Sequence, residues 1–194
     1  MLLKQGVSDE TYPGAVLLVA YKGEVVIFHA EGNRTLIPEP RPLHKNTLFD
    51  LASLTKPLAT TLAVIKLVDD GKIALDQPLQ DLLPADVPND KEGIPLRALL
   101  SHCAGFDNWR PFYLDTDINT QENRKAAVRE KILTSDLVYP PLTAALYSDL
   151  GFMVLEWVIE AQTGGTLPDY LQKQIFNRLS LGHTKSDHAG GGPR

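Results

Sequence analysis

Cysteine is nearly absent from this chain. Cys103 stands alone among 194 residues, so no intrachain disulfide can form, and a reducing, cytoplasmic setting is the expectation. An excess of positive charge is also missing. The net charge is −5 and the pI about 5.5, which argues against a nucleic-acid binder, since phosphate contacts need a basic face. No apolar run approaches the roughly 20 residues that span a bilayer. The opening "MLLKQGVSDETYPG" has one lysine, a very short apolar stretch and no small-residue cleavage site, so it does not read as a secretory signal. A soluble chain with neither nucleic-acid nor membrane partners is expected.

What remains is ordinary material for one domain over 1–194. The chain is 43% hydrophobic and 22% charged, and its length is sufficient for a real core. "GAVLLVA" (14–20) and "EVVIFHA" (24–30) are β-branched and apolar, with "YKG" between them, which predicts a hairpin. The proline-rich stretch 32–47 reads as a loop. Residues 55–70 carry Leu58, Leu62 and Ile65, and also Ala59 and Ala63, at helical spacing. Pro57 falls in the first turn, where a missing N–H costs nothing, and Gly71 suits a helix stop. A short helix running into a glycine-containing loop is expected over 96–106, and further helices over 121–135, 150–164 and 167–179. The tail from 187 to 194 reads as flexible. Two strands followed by several helices, with no strand returning, is an odd balance, because an isolated hairpin is marginal. An exposed sheet edge open to association is the corollary.

Ser53 and Lys56 form S-x-x-K as the chain turns apolar. On a helix, positions three apart share a face. Serine is a preferred helix cap, so capping is the plain reading of Ser53. The chemical reading makes Ser53 a nucleophile whose proton is taken by a neighbouring base, with its N–H at the positive helix end facing a developing oxyanion. Lys56 at a helix start is electrostatically disfavoured, which supports a special role. Tyr147 and Asp149 in "YSDLGFMVLEWVIE" stand just before an apolar helix. Tyr113 and Asp115 repeat Y-x-D, but in a polar loop. His102 and Cys103 are adjacent, yet no other ligand spacing accompanies them, so they read as loop residues and no metal or cofactor is expected.

The stretches "YPGAVLLVAYKGEVVI", "TLFDLASLTKPLATTLAVIKLVDDGKIALDQPLQDLLP", "LRALLSHCAGF", "LYSDLGFMVLEWVIE" and "LSLGHTKS" occur in this order. Together they resemble the β-lactamase-related serine hydrolase family: class C β-lactamases, D-alanyl-D-alanine carboxypeptidases of the penicillin-binding-protein type, and esterases of the same fold. The resemblance implies an α+β fold in which a helical region packs on an antiparallel sheet. It implies an acylated serine at Ser53, with proton transfer shared by Lys56 and Tyr147. "SHCAG" resembles a turn that supports the pocket, and Trp109 and Tyr113 just after it are candidates for lining the acyl site or covering the core.

Two departures stand out. Asp149 occupies a position where the family usually has asparagine. A carboxylate there favours ammonium at Lys56, shifts the proton-accepting role toward Tyr147 and repels anionic substrates. A neutral small-molecule ester or amide is therefore expected, with a small carboxylic ester first. β-Lactam hydrolysis and D-alanyl-D-alanine carboxypeptidase or D-aminopeptidase activity are the alternatives, and a non-catalytic ligand-binding module is another. The family's K-T-G or H-x-G strand motif also has no match in context. "HAG" at His188–Gly190 fits by letters alone. The chain thus reads as the N-terminal part of a longer hydrolase that lacks the C-terminal strands.

Overall fold

The computed structural model describes residues 2–115 and 123–184. The chain divides into two compact units, Met1–Asp50 and Leu51–Arg194.

In the first unit, helix α1 (Leu2–Ser8) precedes strands β1 (Gly14–Tyr21), β2 (Glu24–Thr35) and β3 (Arg41–Pro42). They form one antiparallel sheet in the order β1-β2-β3. The hairpin is the one the sequence predicts. Its two-residue turn places Lys22 (φ 51°) and Gly23 (φ 85°) in the left-handed region, the conformation that matches the strands' twist. β1 and β2 pair from Gly14↔Gly32 to Tyr21↔Glu24, with a bulge at Val19/Ala20. The loop expected over 32–47 is corrected in part: β2 continues to Thr35, and Arg41–Pro42 returns as a third strand against Asn33 and Thr35. Pro42, which has no N–H to donate, sits at the sheet edge, where that lack is tolerated.

The second unit is helical. Its spine is helix α7 (Asp149–Thr163), with α2 (Leu62–Asp69), α3 (Leu79–Leu82), α5 (Leu96–Leu100), α6 (Arg124–Thr134) and α8 (Leu167–Leu171) packed against it, and α4 (Asn89–Glu92) beside α3. Leu150, Val154, Leu155, Val158 and Ile159 of α7 meet Ala63, Val64 and Leu67 of α2 and Leu96 and Leu99 of α5 in one buried cluster. At the far end of α7, Glu160 accepts from Lys125 (2.7 Å) and Arg129 (2.5 Å) of α6 and from the Leu167 N–H (3.2 Å), tying three helices together.

Two corrections concern the segment around Ser53. It is not a single α-helix: a 3₁₀ turn (Ala52–Leu54) is followed by a π-helical stretch (Lys56–Thr61) and only then by α2. Its buried face is Thr60, Ala63, Val64 and Leu67, whereas Leu58 and Ile65 of the expected apolar row are exposed. Of the two rows at helical spacing, the one through Ala59 and Ala63 faces the core. The α6 helix begins at Arg124, capped by the Asn123 side chain. Gln121 and Glu122 of its expected start, and the 187–194 tail with His188–Gly190, lie outside the described residues.

Candidate active site

Ser53 sits in the 3₁₀ turn, directly after Ala52, which holds φ 44°. A non-glycine residue in that region is strained, and such strain gathers at functional positions. Neither the 3₁₀ turn nor the π-helical stretch has a side-chain cap hydrogen bond, so Ser53 does not act as a helix cap here. One turn on, Lys56 projects into the same space, its side chain 15% exposed.

The opposite wall comes from the start of α7. Ser148 is that helix's cap: its Oγ accepts from the Gly151 N–H (3.0 Å) and donates to the Asp107 carbonyl (2.6 Å). Capping at Ser148 leaves Tyr147 just outside the helix and Asp149 as its first residue. Lys56 Nζ donates to Asp149 Oδ1 at 2.5 Å and lies 4.8 Å from the Tyr147 ring centre. The Tyr147 side chain shares the cavity wall with Lys56 and Ser53, and both act on the ionisation of its hydroxyl. Ser53, Lys56 and Tyr147 thus stand on the wall of one open cavity of about 440 Å³ that Leu54, Leu100 and Phe152 complete on the apolar side, with Asp149 paired to Lys56.

The electrostatics follow from that arrangement. The hydrogen bond from Lys56, then that from Ser53, hold the Tyr147 phenol below its usual 10.0. Burial by itself would lower Lys56, but its hydrogen bonds to Asp149 and Tyr147 outweigh burial and raise the amine above its usual 10.5. Lys56 is therefore held as an ammonium, and its charge favours ionisation of the Tyr147 phenol.

Ser53, Lys56, Tyr147 and Asp149 are thus brought together. Trp109 and Tyr113 are not among them. Both are exposed, their ring centres lie 6.4 Å apart, and neither lines the cavity; Phe112 is the residue of that segment that packs on the core. A residue read as part of a loop does line it. His102 stacks on Tyr147 with ring centres 4.6 Å apart. Among the described residues, no cluster of His, Cys, Asp and Glu could hold a metal, and no helix is long and apolar enough to cross a membrane.

A family model described as "Beta-lactamase" matches residues 2–193. The chain belongs to the beta-lactamase family. A Salmonella gallinarum protein, provisionally named D-alanyl-D-alanine carboxypeptidase, is 33% identical over 190 residues, covering 91% of this chain and 44% of the relative. The solved structure of EstCE1, titled a hydrolase with promiscuous acyltransferase activity, superposes with a TM-score of 0.78 at 25% identity, over 92% of this chain and 50% of that one. A class C beta-lactamase superposes equally well, TM-score 0.78, at 22% identity over 93% of this chain and 48% of that one, and shows the shared fold. The mixed α/β architecture with its antiparallel sheet is that of the beta-lactamase and penicillin-binding-protein fold. The chain spans about half the length of the proteins it matches.

Proposed function

We propose that this beta-lactamase-family chain carries the site of a serine hydrolase working through an acyl-enzyme on a small neutral ester. The observation that carries the reading is the convergence of Ser53, Lys56 and Tyr147 on one cavity, with Asp149 bonded to Lys56 behind them. Ser53 Oγ attacks the ester carbonyl as the Tyr147 phenolate takes its proton. The tetrahedral oxyanion lies at the Ser53 N–H, the donor this reading names within the described residues. Collapse expels the alkoxide, which leaves as alcohol with the proton from Tyr147. Water then attacks the acyl-serine, giving its proton to Tyr147, and the carboxylic acid departs as Ser53 is restored. Lys56 keeps its proton throughout and stabilises negative charge on Tyr147.

Preference for a neutral substrate rests on Asp149. Its carboxylate stands beside the cavity with its side chain 36% exposed, so it partly cancels the Lys56 charge that an anionic substrate would seek. The carboxypeptidase name of the 33% identical relative favours a second reading, cleavage of a D-amino-acid peptide, whose terminal carboxylate that same charge opposes. A p-nitrophenyl ester and nitrocefin, assayed side by side, separate the readings. The neutral-ester proposal expects a nitrophenol burst equal to the enzyme concentration and little nitrocefin turnover. Nitrocefin or a D-alanyl-D-alanine peptide as the better substrate overturns it.

A further inference from the structure

His102 holds its position by contacts that converge on one element. Its backbone lies in the left-handed region (φ 59°), a conformation the α5 C-terminus reaches through Ser101, as the chain turns toward Gly105. In that conformation its carbonyl accepts from the Leu146 N–H (3.0 Å) and the Tyr139 hydroxyl (2.9 Å). Its ring Nδ1 accepts from the Ser148 N–H at 3.0 Å. The same ring lies against Tyr147 at 4.6 Å and Phe152 at 5.1 Å between centres. His102 therefore grips the residues on both sides of Tyr147 by hydrogen bonds, and Tyr147 itself through its ring.

A ring nitrogen that accepts from an amide carries no proton, so the neutral imidazole must bear its hydrogen on Nε2. A second proton, on Nδ1, would point at the Ser148 N–H and turn an attraction into a clash of donors. We propose that His102 is a positioning residue for Tyr147: as the Nε2–H imidazole it fixes the Tyr147–Ser148 segment against Ser53 and Lys56, and protonation at Nδ1 releases that segment. This inference rests on the serine-hydrolase reading for its consequence in rate, and on the hydrogen bonds alone for its geometry.

The groups facing the ring agree with that state. Lys56 comes from the π-helical stretch, and Tyr147 and Asp149 come from the entry to α7; Leu100 and Phe152 are the apolar neighbours in the cavity. Burial first, and then the Lys56 charge, push His102 below its usual 6.5, against a smaller opposing pull from Asp149. The imidazole is neutral through the physiological range and charges only in acid. Because the folded state holds the proton less tightly than the unfolded chain, the associated stability is complete above 6.5 and declines as pH falls toward the lowered value.

The test pairs two variants of the full chain with two readouts. In His102→Asn the Oδ1 atom can occupy the place of Nδ1, does not titrate, and asparagine tolerates the left-handed backbone. In His102→Gln the amide reaches the place of Nε2 and leaves the Ser148 N–H without its acceptor. The first readout is the second-order rate of acylation by a fluorophosphonate between about pH 5 and pH 9. The wild type is expected to show an added unit of slope in log rate below the His102 titration. The Asn variant should lose that break while staying within about tenfold of wild type at neutral pH, and the Gln variant should be slower by about 10- to 100-fold at every pH. The second readout, nitrogen-15 NMR of the wild type, should show the Nε2–H tautomer and a Ser148 amide resonance that titrates with His102. A Nδ1–H tautomer, a Ser148 amide indifferent to the His102 titration, or an acid break that persists in the Asn variant overturns the inference. If the fluorophosphonate fails to label the folded wild type, the serine-hydrolase reading fails, and the NMR readout still decides whether His102 holds this segment.

Discussion

Helix α7 carries an ionic cluster at each end, and the two are built on opposite plans. At the C-terminal end an anion is the centre: Glu160 takes Lys125, Arg129 and the Leu167 N–H, and Lys125 also reaches Glu156 at 2.9 Å. Burial would raise Glu160, but these donors outweigh it and hold the carboxyl below its usual 4.5. At the N-terminal end a cation is the centre. Lys56 takes Asp149 on one side and passes its charge to a phenol on the other, and the phenol ends on a serine hydroxyl. Both clusters border an open cavity, about 440 Å³ at the Lys56 end and about 540 Å³ at the Lys125 end. What separates a candidate site from a structural tie is therefore neither burial nor charge. It is that one network ends on hydroxyls that can give and take a proton, while the other ends on groups already neutralised by one another.

That contrast can be broken most sharply at Tyr147. Tyr147→Phe removes the proton acceptor and keeps the ring that meets His102, so fluorophosphonate acylation should fall by about 10²- to 10⁴-fold with a thermal midpoint within a few degrees of wild type. Comparable acylation by the Phe variant would place the base elsewhere. The mirror experiment is Glu160→Gln. Two cations lose their shared carboxylate, stability should fall by about 1–3 kcal/mol in urea unfolding, and the acylation rate of the folded fraction should not change. A loss of rate without loss of stability would mean the two ends of α7 are not independent.

A smaller effect sharpens the charge argument. Asp149→Asn removes a carboxylate bonded to Lys56, so the ratio of nitrocefin to p-nitrophenyl ester turnover should rise about tenfold. An unchanged ratio contradicts the repulsion proposed for anionic substrates. The pH dependence has a definite sign as well. With Tyr147 lowered from 10.0 and Lys56 raised from 10.5, the reactive pair of phenolate and ammonium occupies a window between the two shifted values. Acylation should rise with pH through the Tyr147 ionisation, then fall where Lys56 loses its proton; a rate that keeps climbing past that point would show the neutral amine to be the base. The smallest expected effect is at Trp109, which does not line the cavity: Trp109→Ala should alter acylation less than about twofold, well inside the scatter of a surface substitution.

The readability of this chain varied with how local each signal was. The hairpin was legible because Lys22–Gly23 is a turn between two β-branched runs, and turn chemistry is decided within a few residues. S-x-x-K and Y-x-D were legible as motifs, and the structure sets Ser53 beside Tyr147 and Lys56 beside Asp149, 93 residues away. The phase of the helix after Ser53 was not legible. Leu58 and Ile65 follow the same period as Ala63 and Leu67, and only the position of α7 decides which row is buried. Nor could the sequence announce the 3₁₀ and π-helical turns that aim Ser53 and Lys56, since those depend on how the chain enters α2. His102 was missed for a related reason. Its left-handed backbone is a conformation histidine adopts only occasionally, and its ring partner Ser148 lies 46 residues on. Trp109 and Tyr113 drew attention by type and nearness in sequence to the "SHCAG" turn, and nearness in sequence did not carry them into the cavity.

The central claim, that Ser53 is a nucleophile activated by Tyr147, is tested most directly by intact-mass spectrometry of the full chain after exposure to a fluorophosphonate, with Ser53→Ala alongside. The account predicts one adduct per chain on the wild type and none on the variant. A folded wild type that stays unmodified, or an adduct that survives in Ser53→Ala, would contradict it.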